Sequence, residues 1–298
     1  MNILILHNPK AGDGRLSGKE IVRLFRKNSH KVVYKNTKKT KITRKDAKEA
    51  DIIVVAGGDG TVGKVIRALN GLVRPLLIVP LGTANNIARA LGLPMDPALI
   101  AQQFARWDTR MLDLGVVTGS FGLRLFIEGV GIGAIADLVA TGDARDMETD
   151  EEKRFGEDAP GDIVQRAQPQ RWHAVADGKS LPDDLLLLEV LNMPLVGPSL
   201  PLANSGAPDD GLLDVAFLRP DHRESFVRWL DSDRSTLPQG LEVLHAREVS
   251  FDWQTGPLLV DDHLPDPPAA RSRINVQLVA KHLPLLSPPN ASAPTEGD

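Results

Sequence analysis

The sequence contains no cysteine among its 298 residues. This absence excludes disulfide bonds, thiolate nucleophiles and cysteine-ligated metal centres, and it agrees with a reducing, cytoplasmic compartment. Aromatic residues make up only 4% of the chain, with a single tyrosine, which argues against a surface that stacks nucleic-acid bases. No apolar run approaches the ~18 residues that a membrane-spanning helix needs. We expect the apolar residues 3–6 to form a strand rather than part of a signal peptide.

Charge is plentiful, and it is unevenly divided along the chain. Residues 1–112 hold 20 basic and 8 acidic residues, whereas residues 113–298 hold 15 basic and 31 acidic residues. Such asymmetry predicts two domains and an anionic partner for the first, which would be a nucleotide, a nucleic acid or a membrane surface. Nine of the acidic residues lie within 143–162, and this composition predicts a solvated loop.

The first 112 residues alternate between strand-like and helix-like segments. Short apolar runs predict strands over 3–6, 31–34, 51–56 and 76–79. Ser17, with Glu20 three residues later, forms the capping-box pattern of a helix start. The alternation predicts a parallel sheet with helices on both faces, which binds its ligands at the carboxyl ends of the strands.

The remainder of the chain has the pattern of an antiparallel sandwich or barrel. Its candidate strands are 112–117, 124–128, 185–191, 213–218, 248–253 and 274–279. Helices are expected near 135–141 and 224–230. We therefore predict an α/β domain over 1–112, an all-β sandwich over 113–286 and a disordered tail over 287–298. Pairing of the sandwich's edge strands would give a homodimer.

The most informative motif is Gly57-Gly58-Asp59-Gly60-Thr61, which stands between the third strand and a helix. Its glycines let backbone N–H groups approach a ligand closely, and the helix start adds a positive dipole end. This combination predicts a phosphate-binding loop, in which the Thr61 hydroxyl donates to a phosphate or caps the helix. Asp59 is unfavourable there unless it holds Mg²⁺ or takes up a proton. The alternative is a plain turn.

Two other loops follow strands in the same way. They are PLGTANN (80–86), after the fourth strand, and NPKAG (8–12), after the first. Each is a weak signal alone, and the first also suits a helix cap. Beside the glycine loop, however, Gly82, Thr83 and Asn85 would face the same nucleotide.

Two other glycine patterns resemble known nucleotide-binding motifs but do not match them. The segment from Gly12 to Lys19 has one residue too many for a P-loop, and Glu20 stands where Ser or Thr is needed. The Gly129-x-Gly131-x-x-Ala134 pattern resembles a dinucleotide fingerprint, but it lies in the part predicted to be antiparallel. The 12 basic residues within 19–48 are assigned to solvated faces, and no nucleic-acid partner is predicted.

Taken in order, the three loops resemble the signature motifs of the diacylglycerol kinase catalytic-domain family. This family includes bacterial diacylglycerol and other lipid kinases, sphingosine kinases and ceramide kinases. The similarity continues through LDLG (112–115), GVGIGA (129–134), Asn192-Met-Pro and DDGLLD (209–214), and so covers nearly the whole chain. It implies an α/β domain and a β-sandwich with the active site in a cleft.

The resemblance also implies a set of ligands. ATP phosphates would bind at Gly57, Gly58, Gly60 and Thr61, and the nucleotide pocket would be completed by Asn8, Gly82, Thr83 and Asn85. A lipid acceptor would enter from the sandwich, at a membrane surface that the protein visits peripherally.

The catalytic residues are likewise carried over from the resemblance. Asp261 matches the proposed general base of bacterial members, and Asp59 would organise the phosphates and Mg²⁺; sphingosine kinases point instead to the Asp of the glycine loop. Asp209, Asp210 and Asp214 resemble a structural Mg²⁺ site, and their spacing suits a hard cation. The alternative there is a β-turn followed by a strand.

The chain departs from the family pattern at several positions. Asp262 and His263 replace the usual Gly and Glu, Asn86 replaces an Asp, and Gly63-Lys64 replaces Asn-Glu. The main hypothesis is an ATP- and Mg²⁺-dependent lipid kinase. The alternatives are an NAD kinase, which shares the glycine loop, and a non-catalytic relative that binds nucleotide or lipid.

Overall fold

The structure is a computed structural model. It describes residues 1–12, 14, 16–26, 30–71, 74–143, 160–203 and 207–289. Contacts within the chain divide it into two compact units, Met1–Leu112 with Lys281–Asp298, and Asp113–Ala280. Most of the predicted acidic loop (143–162) and the tail from residue 290 lie outside the described residues.

The first unit is an α/β layer structure built on a parallel sheet. Its elements are β1 (Asn2–His7), α1 (Gly18–Arg26), β2 (Lys31–Asn36), α2 (Arg44–Lys48), β3 (Ile52–Gly57), α3 (Asp59–Leu69), β4 (Leu76–Pro80), α4 (Asn86–Ala90), α5 (Pro97–Gln103) and a 3₁₀ turn, Phe104–Arg106. The strands run parallel in the order β2-β1-β3-β4. Strands β3 and β4 are buried at every residue, as their continuous apolar runs require.

Local sequence signals explain where several of these helices begin. The Ser17 N–H donates to Glu20 Oε2 at 2.7 Å and the Glu20 N–H donates to Ser17 Oγ at 3.3 Å, so the expected capping box is confirmed. Helix α2 was not predicted, because it is short and buries only Ala47. Helix α5 was also not predicted; it begins at Pro97, after an Asp96 cap.

The second unit is a β-sandwich with helices over one outer face. Its elements are β5 (Asp108–Gly119), β6 (Gly122–Phe126), β7 (Gly129–Gly133), α6 (Ala134–Asp143), β8 (Val175–Ala176), β9 (Lys179–Ser180), β10 (Leu187–Leu191), β11 (Leu195–Val196), β12 (Leu200–Pro201), β13 (Leu213–Leu218), a 3₁₀ turn, Pro220–His222, α7 (Arg223–Leu230), β14 (Leu241–Ala246), β15 (Glu248–Trp253), β16 (Leu258–Val260) and β17 (Ser272–Ser287). Residues 160–166 are also helical.

One layer of the sandwich is the antiparallel sheet β14-β13-β10-β7-β16. The other layer contains the antiparallel pairs β15–β17, β15–β8 and β5–β6. An apolar core that includes Phe126, Phe251 and Trp253 fills the space between the layers. Helices α6 and α7 cover the outer face of the five-stranded sheet through a second apolar cluster. The predicted fold class is thus confirmed, and β7 is antiparallel to its neighbours, so its glycines do not form a dinucleotide fingerprint.

The last strand extends further than the sequence suggested. The apolar pattern predicted a strand that ends at residue 279 and a second domain that extends to residue 286, whereas β17 continues to Ser287, which is buried. From Lys281 onwards the chain belongs to the first unit, because Leu285 pairs in parallel with Leu76 of β4. Among the described residues, no helix is long and apolar enough to cross a membrane.

Candidate functional site

The three loops singled out in the sequence meet at one edge of the first unit's sheet. They follow β1, β3 and β4, which are adjacent and parallel, so their carboxyl ends lie side by side. The Asn8 N–H donates to the Ala56 carbonyl at 2.9 Å, and the Leu81 N–H donates to the Gly57 carbonyl at 3.0 Å. The loops therefore leave the sheet as neighbours, with the glycine loop in the middle.

Glycines allow these loops to pack backbone against backbone. A β-carbon on Gly82 would lie 2.5 Å from the Gly58 α-carbon, and one on Gly58 would lie 3.0 Å from the Gly82 α-carbon. Gly12, with a φ of +54°, approaches the Leu81 carbonyl so closely that a β-carbon would lie 2.4 Å from its oxygen. Any side chain at these three positions would push the loops apart.

Thr61 links the glycine loop to the first loop. The Asn8 amide Nδ2 donates to Thr61 Oγ1 at 3.2 Å. The Thr61 side chain packs against Gly57, where a β-carbon would lie 2.6 Å from Thr61 Oγ1. Thr61 is buried in the first turn of α3, which begins immediately after Gly58. Gly60 is also in this turn, and the first N–H groups of a helix have no partner within the helix.

The third loop is folded by its own asparagine. Asn85 Oδ1 accepts the Gly82 N–H at 2.8 Å, and Asn85 Nδ2 donates to the Gly82 carbonyl at 2.7 Å. Asn85 has a φ of +53°, a left-handed conformation that asparagine tolerates better than most residues. Thr83 lies in the bend that these bonds close. Asn85 thus acts as a support for the loop in this structure.

The puzzling carboxylate of the glycine loop also has a partner. Asp59 Oδ2 accepts the Asn86 N–H at 2.9 Å and Asp59 Oδ1 accepts the Ile87 N–H at 3.0 Å. Asp59 therefore satisfies the first N–H groups of α4 from a neighbouring loop, as an N-cap residue would. The sequence showed a carboxylate in a phosphate loop, but it did not show this long-range cap.

In the second unit, Asp261 is held by backbone groups. It has a φ of +53° in the turn after β16. Its Oδ1 accepts the Ile127 N–H at 3.0 Å and the Glu128 N–H at 2.9 Å. These two hydrogen bonds fix the direction of the Asp261 carboxylate.

Asn192 binds the carbonyl groups of the same 127–128 segment, a role that sequence reasoning missed. Its Nδ2 donates to the Ile127 carbonyl at 2.9 Å and to the Asp113 carbonyl at 3.3 Å. The Asn192 N–H donates to the Glu128 carbonyl at 2.8 Å. The 127–128 segment is therefore clamped between Asn192 and Asp261. Part of a signal was present in the sequence, where Asn192 began a motif shared with the family.

Of the three aspartates predicted to bind magnesium, Asp209 and Asp210 lie in a turn and Asp214 lies in β13. Asp210 Oδ1 accepts the Leu212 N–H at 2.8 Å, and Gly211 has a φ of +76°. Buried Asp214 pairs with His245, whose Nδ1 lies 2.8 Å from its Oδ1. In the described part of the chain, no three carboxylate or histidine side chains are arranged to hold a metal ion. Magnesium at Asp209, Asp210 and Asp214 stays a prediction that this geometry does not support.

Two buried titratable groups were not expected. Glu189, in the middle of β10, is fully buried, and burial raises its pKa to about 8. Neither of its carboxyl oxygens has a hydrogen-bond partner among the described residues. His7, at the end of β1, is also fully buried beside Tyr34, and burial lowers its pKa. A single charged residue within the apolar run 185–191 was the available signal for Glu189.

Known proteins similar in sequence to this chain support the family resemblance of the three loops. Residues 2–117 match the profile of the diacylglycerol kinase catalytic domain. A diacylglycerol kinase of Bacillus subtilis is 30% identical over 188 residues, which is 61% of this chain and 59% of the relative. A Pseudomonas aeruginosa protein named "Probable lipid kinase YegS-like" is 29% identical, over 88% of this chain and 94% of the relative. The chain thus spans less than two thirds of the Bacillus subtilis relative.

Solved structures show the same fold at lower identity. A diacylglycerol kinase of Bacillus anthracis superposes with a TM-score of 0.68 at 20% identity, and 98% of each chain is covered. Yeast NADH kinase superposes with a TM-score of 0.58 at 12% identity, over 98% of this chain and 84% of that one. The fold is therefore of the diacylglycerol kinase and NAD kinase type. The match of residues 2–117 to the diacylglycerol kinase catalytic-domain profile confirms the resemblance that the loop motifs indicated.

Proposed function

We propose that this chain is an ATP-dependent kinase that phosphorylates the hydroxyl group of diacylglycerol or a related lipid, such as a sphingoid base. The observation that best supports this function is the convergence of three motif loops at the carboxyl ends of β1, β3 and β4. The family match over residues 2–117 supports the same conclusion. The protein would be cytoplasmic and would visit the membrane to reach its acceptor.

The ATP phosphates would lie at the start of α3. Backbone N–H groups of Gly58 and Gly60, the Thr61 hydroxyl and the dipole of α3 together suit an anion. Gly82 and Gly12 contribute by their small size, because they let the flanking loops close around this point. Asn8, Thr83 and Asn85 would shape the rest of the nucleotide pocket. Mg²⁺ would accompany the ATP, as it does in phosphoryl transfer generally.

Two aspartates are proposed to act in different ways. Asp261 would take the proton of the acceptor hydroxyl, and its bonds to the Ile127 and Glu128 N–H groups hold its carboxylate in place. Asp59 would act as a positioning residue, because it ties α4 to the glycine loop. The two roles are separated by measuring kcat and the affinity for ATP in each variant. Asp261→Asn should lower kcat and leave the affinity for ATP unchanged, whereas Asp59→Ala should lower both kcat and the affinity for ATP.

The proposal is tested by incubating the purified protein with labelled ATP and a total lipid extract, followed by identification of the labelled product. Gly58→Asp should abolish transfer, since its side chain would collide with Gly82 and place negative charge at the phosphate site. Gly161→Asp is the matched control, because the nearest atom to a β-carbon there would be 3.8 Å away. A folded protein that labels no lipid in a broad panel would refute the function.

An NAD kinase is the second candidate, because the fold resembles yeast NADH kinase. Those enzymes share the glycine loop, and the same labelled-ATP assay with NAD as acceptor separates the two activities. Asp262 and His263 stand where the family usually has Gly and Glu, and this difference favours a third candidate, a non-catalytic relative. It would bind ATP in calorimetry but transfer phosphate neither to lipids nor to NAD.

A further inference from the structure

The strongest concentration of charge in the first unit lies at the outermost strand of the sheet, which β1 separates from the strand that leads into the glycine loop. Residues 31–48 contain eight basic residues and one acidic residue. They form β2, the turn after it and α2. Strand β2 is the outermost strand of the parallel sheet. We define the basic surface as the exposed cations of this turn and helix, which are Lys38, Lys39, Lys41, Arg44, Lys45 and Lys48.

The only acid within this segment does little to reduce its charge. Asp46 forms an ion pair with Lys35, a residue outside the basic surface. The hydrogen bond from Lys35 lowers the pKa of Asp46. Among the described residues, no ion pair joins a side chain of the basic surface to a carboxylate. The six cations thus present their charge to solvent.

Several contacts fix the backbone that carries these cations. Lys64 Nζ donates to the Thr37 carbonyl at 3.1 Å, which ties the turn to α3. The Lys35–Asp46 pair ties α2 to the face of β2 that also carries Val33, because side chains two apart on a strand share a face. Arg74 donates to the Lys48 carbonyl at 3.2 Å at the end of α2. These contacts join the backbone of the basic surface to the rest of the first unit.

The composition of the surface distinguishes a membrane from a nucleic acid. Five of its six cations are lysines, which act as point charges and lack the planar fork with which arginine recognises bases. Tyr34, the sole tyrosine, packs against buried His7 and is not offered to bases. Val33 is 50% exposed on the same face of β2 as Lys31. A cluster of exposed lysines suits an anionic bilayer.

We infer that the β2–α2 basic surface docks this protein on anionic lipid bilayers. The inference rests on the proposed function in one respect, since a lipid acceptor is what gives membrane docking its purpose. The binding itself needs neither ATP nor acceptor, and it can therefore be tested separately.

The experiment is sedimentation of the full chain with vesicles of phosphatidylcholine, with and without phosphatidylglycerol. We expect binding only to the anionic vesicles and release by added salt, because salt screens such attraction. Each exposed lysine changes affinity about fivefold, so replacing Lys38, Lys39, Lys41 and Lys45 together by Gln should weaken binding roughly a hundredfold or more. Circular dichroism checks that this quadruple variant is folded.

The matched control replaces four exposed cations of the second unit by Gln, namely Arg166, Lys179, Arg228 and Arg247. It should bind vesicles nearly as the unaltered protein does. An equal loss in both quadruple variants would overturn the inference, as would an absence of binding to anionic vesicles. Tighter, lysine-dependent binding to a single-stranded oligonucleotide than to vesicles would also overturn it.

A second readout separates this inference from the proposed function. With a short-chain acceptor in solution and no bilayer present, the basic-surface variant should transfer phosphate as fast as the unaltered protein. If neither protein transfers phosphate, the proposed function fails while the vesicle result stands. If only the variant loses activity on the soluble acceptor, the lysines serve the active site and the docking inference is wrong.

Discussion

A charge-free substitution of Glu189 should change how the stability of the protein depends on pH. The carboxyl lies in β10 over Gly131, where a β-carbon would be only 2.0 Å from Glu189 Oε2. Burial raises its pKa from 4.5 to about 8. Between pH ~4.5 and ~8, the Glu189 carboxyl is therefore mostly protonated in the folded state and mostly ionised in the unfolded state. Stability from this group is greatest below pH ~4.5 and is lost as the pH rises towards 8.

The size of the effect follows from the pKa difference. Each unit corresponds to about 1.4 kcal/mol, so the unaltered protein should lose about 4 kcal/mol between pH 5 and 8 relative to Glu189→Gln. Glu189→Met serves as a second variant, of similar length and with no polar atom to bury. Glu189→Met should be more stable than the unaltered protein by about 1–3 kcal/mol even at pH 5, because neither oxygen of the Glu189 carboxyl has a hydrogen-bond partner in the described part of the chain.

The assay is urea unfolding of the three proteins at a series of pH values, followed by tryptophan fluorescence. Three of the four tryptophans, Trp172, Trp229 and Trp253, are buried in the second unit, so the signal reports mainly on the unit that contains Glu189. Other titrating groups are common to all three proteins and cancel in the difference. A stability difference that stays constant from pH 5 to 8 would refute the reasoning.

Three further substitutions test the loops and the turn. Gly82→Ala should weaken ATP binding at least tenfold in calorimetry, because its β-carbon would collide with Gly58, whereas Gly161→Ala should not. Asp59→Ala should lower the free energy of unfolding by about 1–2 kcal/mol, because two N–H groups of α4 lose their acceptor; an unchanged melting curve would contradict this role. Asn192→Leu should cost about 1–3 kcal/mol in urea unfolding, because two buried carbonyl groups lose their donor.

The fold was predictable where the pattern was local. The buried strands β3 and β4 are continuous apolar runs, and the start of α1 carries a capping box, so each could be placed from a few neighbouring residues. Helix α2 could not be placed in this way. It has five residues and a single buried side chain, so it has no apolar pattern, and its local signal is the Thr43 cap, which accepts the Asp46 N–H.

The candidate site shows the same division. The glycines of the loops could be identified from their place after strands, and their mutual contacts follow from the order of those strands. The role of Asp59 could not be identified, because its partners are the N–H groups of residues 27 and 28 positions away. The same applies to Asn192, which bonds to carbonyls 65 and 79 positions away. Local patterns identify residue types that suit a site, whereas long-range hydrogen bonds decide what each residue does.

The division of charge along the chain has a different meaning once the loops are located. The glycine loop and the 80–86 loop contain no basic residue, and the 8–12 loop contains only Lys10. The proposed phosphate site would therefore depend chiefly on backbone N–H groups and the dipole of α3 rather than on basic residues of these loops. Eight of the 20 basic residues of the first 112 lie within 31–48 instead. The three loops contain little of that charge, so it is available for the anionic bilayer proposed above, which fits its lysine composition and its place at the outer strand of the sheet.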